Sequence, residues 1–136
     1  MLLTIDVGRP SRARKGGPLC TRVRAKRAAT EDDVFTVQRA GAEQRAEQGA
    51  GRADPFGDPA FAEAYHVEAG SVARVARRFT DELRREILAL DPEEIAGGEA
   101  AVTLTLAGTE LRRKPLERAS EIVAALAAPA PEGPYR

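Results

Sequence analysis

Apolar and polar positions alternate at both ends of the chain and fall into helical stripes between them. Leu3, Ile5 and Val7 alternate with Thr4 and Asp6, the period-two signature of a half-buried strand that Gly8 and Pro10 end. A second strand is expected from about Leu19 to Lys26, with Leu19, Thr21, Val23 and Ala25 on one face and Cys20, Arg22, Arg24 and Lys26 on the other. A third, Val34 to Arg39, follows the acidic turn Glu31-Asp32-Asp33, and the three strands read as an antiparallel meander.

The best-specified stretch runs from Asp58 to Leu90. A helical turn over Pro59–Ala64 brings Phe61 and Tyr65 together, and Tyr65, Val67 and Ala69 then alternate as a short strand. Ser71 caps a helix whose apolar stripe is Val72, Val75, Ala76 and Phe79. Thr80 caps the next, with Leu83, Ile87 and Leu90 as its stripe and Arg84, Arg85 and Glu86 on its wet side. Asp91-Pro92-Glu93-Glu94 reads as the start of one more short helical turn, ending at Gly97-Gly98.

Ala101 to Lys114 reads as a hairpin turning at Ala107-Gly108, with Leu104 opposite Leu111 and Thr103 opposite Arg112. Pro115 then opens a last helix striped by Leu116, Ala119, Ile122, Val123 and Leu126, and Arg118 is placed to pair with Glu121. The expected class is α+β: a mostly antiparallel sheet with amphipathic helices packed on one face. Within a single domain, 1–39 hold the N-terminal strands and a basic loop, and 40–59 a linker rich in Ala, Gly and charge. Residues 60–128 form a strand-helix-helix-hairpin-helix unit, and 129–136 a frayed tail.

Composition sharpens this picture in three ways. With 136 residues, 43% hydrophobic and only 4% aromatic, the core is expected to be shallow and built from Leu, Val, Ile and Ala. One cysteine, Cys20, excludes an intramolecular disulfide and fits a reducing compartment. The start of the chain lacks the pattern of a signal peptide, and the longest apolar run, Ile122 to Ala130, is too short to span a bilayer. A cytoplasmic protein without membrane insertion is expected.

Charge is balanced in sum, 21 basic against 21 acidic residues, but not in place. Residues 1–27 carry eight basic side chains against Asp6 alone. Three of them, Arg22, Arg24 and Lys26, share one strand face, which therefore meets water or an anionic partner. Together with Arg12, Arg14 and Lys15 of the preceding loop they are the candidate partner-binding residues. No aromatic residue lies between 1 and 34 to stack a base, so a protein partner is expected first and nucleic acid is the alternative.

No constellation of catalytic or metal-ligating residues stands out. His66 is the only histidine, without Cys or carboxylates at ligand spacing or a nucleophile beside it. Ile5-Asp6-Val7-Gly8 has the form of a strand ending in a phosphate loop but lacks the further loops such folds need, and Gly49-Ala50-Gly51 lacks the third glycine of a dinucleotide fingerprint. The expectation is a small non-enzymatic interaction or accessory module without cofactors or metal. The oligomeric state is left open.

Asp58-x-x-Phe61-x-x-x-Tyr65-x-Val67 resembles the D-x-x-F-x-x-x-F/Y-x-V motif of an uncharacterised bacterial family, domain-of-unknown-function 3137. Thr80-x-x-Leu83-Arg84, Ile87, Leu90 and the expected hairpin from Val102 to Leu111 continue it, over about residues 55–126. The resemblance implies a fold and a scaffold role. It transfers no site residue and implies no activity. Family members usually carry transmembrane helices before this module; no such segment is expected within residues 1–55, and the expected hairpin lacks their phenylalanines.

Overall fold

A computed structural model describes residues 3–8, 20–40, 56–108 and 112–128. Among these residues the chain forms one six-stranded, wholly antiparallel sheet with four helices packed against it. The strands are β1 (Leu3–Gly8), β2 (Cys20–Lys26), β3 (Phe35–Arg39), β4 (Tyr65–Ala69), β5 (Glu94–Gly97) and β6 (Ala101–Ala107). The helices are α1 (Pro59–Ala64), α2 (Val72–Arg78), α3 (Asp81–Leu90) and α4 (Arg113–Ala127). Strand order across the sheet is β1-β2-β6-β5-β3-β4.

Three expectations are corrected here. The first strands do not form a meander: β2 pairs with β1 and β6, while β3 pairs with β4 and β5. Glu94 opens β5 rather than lying in a helical turn, and Asp91 closes α3 in a left-handed conformation (φ 56°). Its amide donates to the Ile87 carbonyl, and a left-handed Asp is a tolerated helix stop. The hairpin therefore lies one strand earlier than the alternation suggests: β5 and β6 turn through 98–100 and pair Ile95 with Leu104. Arg112 is not in a strand opposite Thr103; it precedes α4, which begins at Arg113, two residues before Pro115.

Helix starts follow their caps. The Asp58 carboxylate accepts from the Phe61 amide at 3.2 Å, with Pro59 at the first helical position. Thr80 Oγ1 accepts from the Leu83 amide at 3.2 Å, and Asp81 and Glu82 sit in that first turn, where the helix dipole favours anions. Val72, expected in the stripe of α2, is instead 53% exposed at the first position of that helix.

Between sheet and helices the core has two unlike halves. Under α4 it is aliphatic: Val23, Val102, Leu104, Ile122, Val123 and Leu126 are buried. Under α1, α2 and α3 it is aromatic. Phe79 stands at the centre, with ring centroids 5.2 Å from Phe35, 5.0 Å from Phe56 and 6.5 Å from Phe61, and Tyr65 stacks beyond Phe61 at 5.2 Å. The few aromatics are thus concentrated rather than diluted, and the expectation of a core of Leu, Val, Ile and Ala holds for one half only. Gly97 makes room for this cluster: a Cβ there would lie 2.2 Å from the Phe35 ring.

Arg84 is not on a wet helix face. It is 8% exposed, and its guanidinium donates to Asp58 Oδ2 at 2.9 Å, to Asp81 and to the Phe79 carbonyl. Its carbon centre also lies 5.7 Å from the Phe56 ring centroid. A buried cation persists only when it is paired and hydrogen-bonded, and these four partners meet that need. At the other end of the sheet, Arg74 holds Asp33 through two bonds of 3.0 and 3.2 Å, and Arg27 donates to the Asp33 and Gly98 carbonyls.

Two predictions follow from these contacts. Gly97→Ala forces the Phe35 ring off its place against Phe79 and is expected to destabilise by about 1–3 kcal/mol in urea unfolding. Arg84→Met leaves Asp58 without its main partner and is expected to cost about 2–3 kcal/mol. The Arg84 hydrogen bond and the Phe61 amide hold the Asp58 carboxyl below its ordinary pKa. That contribution is present above the unfolded-state value of about 3.9 and is lost as pH falls below it. Arg84→Met should therefore flatten the acid limb of a stability-against-pH profile.

Candidate interaction surface

Among the described residues the helices all lie on one side of the sheet, and the other side is left open by them. Register fixes which side chains share the open side. One row across it reads Arg22, Thr105, Glu94, Gln38 and His66; the next reads Thr4, Arg24, Thr103, Ala96, Thr36 and Glu68. These are polar or small residues, as an antiparallel sheet with one solvated face requires.

Arg22, Arg24 and Lys26 do fall together, at alternate positions of β2. Arg24 and Lys26 are exposed and make no ion pair among the described residues. Arg22 is half-buried and lies in register with Asp6 on β1. Arg12, Arg14 and Lys15 lie outside the described residues, so their relation to β2 is not part of the geometry. Cys20, expected on this outward face, is buried at 1% exposure.

Charge on the open face is graded. On the β6 side the residues in register with the cations of β2 are Ala101, Thr103 and Thr105. Carboxylates appear beyond β6, where Glu94 on β5 accepts from Gln38 at 3.2 Å and Glu68 on β4 lies 3.3 Å from His66. Two strand spacings, about 10 Å, separate β2 from β5. No aromatic ring other than the His66 imidazole lies in these two rows. Among the described residues no group of three or more His, Cys, Asp and Glu side chains is placed to hold a metal ion. None of the described helices is long and apolar enough to cross a membrane.

A second feature escaped the sequence. On the helix-covered side, the ends of β3 and β6 and the start of α4 enclose a cleft of about 520 Å³. Arg39, Arg112, Lys114 and Arg118 line it, with Asp91 as the one carboxylate among the described lining residues. Asp91 is held in place by Arg39 at 3.1 Å, and Tyr65 Oη donates to the neighbouring Pro92 carbonyl at 2.9 Å. Burial, reinforced by the Asp91 carboxylate, raises the Tyr65 pKa above its ordinary value, so this hydroxyl stays protonated and a donor. The signal was present in Lys114 and Arg118, four residues apart. The expected hairpin put Lys114 at the end of a strand, which hid their shared helix.

No family model, curated protein or solved structure matches the chain.

The β2 cations are expected to be dispensable for folding. Arg24→Ala/Lys26→Ala should change stability by no more than about 0.5 kcal/mol by urea unfolding, whereas Val23→Ala on the opposite face of the same strand should cost 1 kcal/mol or more, of order 2.

Proposed function

We propose that the protein is a small non-catalytic interaction module that docks an acidic protein surface on the open face of its sheet, at β2. The observation that carries this reading is the exposed pair Arg24 and Lys26, lying beside neutral Thr and Ala side chains where none of the described helices covers the sheet. Burial does not account for two cations on such a strand, and a complementary surface would collect their charge. Specificity would come from the graded face: a partner acidic over β2 and neutral or basic over β4 and β5 fits, whereas a uniformly anionic one meets Glu94 and Glu68.

Nucleic acid is the weaker occupant of the same face. Its phosphates would be attracted to β2 but repelled by the two carboxylates, and the rows offer no ring for base stacking beyond His66.

Fluorescence anisotropy separates the two readings. A labelled polyglutamate peptide and a labelled single-stranded oligonucleotide of equal length are titrated against the protein at low salt. The expected result is salt-sensitive binding of the peptide, weakened about tenfold or more by Arg24→Ala/Lys26→Ala. Tighter binding of the oligonucleotide, lost in the same variant, would favour nucleic acid. Peptide binding unchanged in the variant would reject the β2 surface.

A further inference from the structure

We propose that the cleft at the start of α4 binds a small phosphate monoester. It lies on the helix-covered side of the sheet, away from the open face, and the inference does not depend on the docking proposed there.

The argument begins with charges that α4 has no local reason to carry. Arg112, Arg113 and Lys114 stand at the end of the helix where the dipole disfavours cations, and the first turn holds no acidic residue. Arg113 is neutralised by Glu117, one turn on, at 2.7 Å. Lys114 is not: one turn on from it stands Arg118, and like charges at that spacing repel. Lys114 and Arg118 both line the cleft, and neither makes an ion pair among the described residues. The Arg39 charge is already directed to Asp91. A helix that pairs its charges on one face and opposes them on another carries a local conflict, and such conflicts concentrate at functional sites. An anion between the two side chains removes the conflict.

The shape of the cleft narrows the anion further. Its volume falls within the range of small-molecule sites, and Leu90, Leu106 and Pro115 add apolar surface to its lining. A bare oxyanion would leave that surface wet. A dianionic monoester with an apolar body places its charge on Lys114 and Arg118 and its body against these three residues. Arg118 offers the planar fork that suits phosphate, and Lys114 a point charge.

Calorimetric titration of the full chain at low ionic strength tests this with three probes: phenyl phosphate, inorganic phosphate and benzyl alcohol. Phenyl phosphate is expected to bind most tightly, with a Kd of about 1 mM or below. Inorganic phosphate should bind more weakly and benzyl alcohol not measurably. Lys114→Ala/Arg118→Ala should weaken phenyl phosphate binding about tenfold or more, while Arg24→Ala/Lys26→Ala on the open face leaves it unchanged. Without ligand, Lys114→Ala should leave the thermal midpoint the same or higher, because it removes a repulsion.

Absence of saturable binding overturns the proposal. So does equal binding by the Lys114/Arg118 variant, or equal binding of benzyl alcohol. The same phosphate chemistry occurs in lipid headgroups, so co-sedimentation with phosphatidate vesicles completes the test. Vesicle binding that depends on Lys114 and Arg118 would overturn the small-molecule source, and no sedimentation is expected.

Discussion

A buried guanidinium beside the Phe56 ring sets the terms for half of this fold. Arg84 leaves water on α3, and a cation in that position must be satisfied on every side. Its partners come from three places in the chain: Asp58 and Phe56 before α1, the Phe79 carbonyl at the junction of α2 and α3, and Asp81 in the first turn of α3. Satisfying one charge thus fixes the entry to α1, the angle between α2 and α3, and the ring of Phe56. The Asp58 carboxylate serves twice, as the cap of α1 and as the counter-charge of Arg84.

Around that clamp the sheet divides its labour. The aromatic half is held by specific ring geometry and by a glycine that yields space to Phe35. The aliphatic half rests on α4, whose buried residues repeat at helical spacing over β2 and β6. Among the described residues the large buried apolar side chains therefore fall on one side of the sheet. Residues on the other side are released from packing, which is why a strand such as β2 can carry Val23 and Ala25 inward and Arg24 and Lys26 outward.

Much of this was legible from local pattern. Caps at Ser71 and Thr80 marked their helices correctly, because a side-chain oxygen bonding an early amide is a local event. The stripe of α4 and the alternation of β2 were equally local. The misread parts depended on distant partners. β5 has one large apolar residue, Ile95, and Asp91-Pro92-Glu93-Glu94 imitates a helix start, so only its place between β3 and β6 makes it a strand. Ala107-Gly108 has the form of a two-residue hairpin turn, whereas the real turn takes three residues, 98–100, after a strand with little apolar signal. Arg84 looked wet because its partner Asp58 lies 26 residues away. The cleft joins Arg39 to Lys114 and Arg118, and nothing in their spacing announces that the sheet order brings them together.

The central claim is the proposed docking of an acidic protein surface at Arg24 and Lys26, on the sheet face away from the described helices. Amide chemical shifts of the isotope-labelled chain, followed during titration with polyglutamate, test it residue by residue. The account predicts shifts centred on Arg24 and Lys26 and their neighbours Ala101 and Thr103, with the amides of α2 and α3 unmoved. Shifts centred on the helices, with β2 silent, would contradict it.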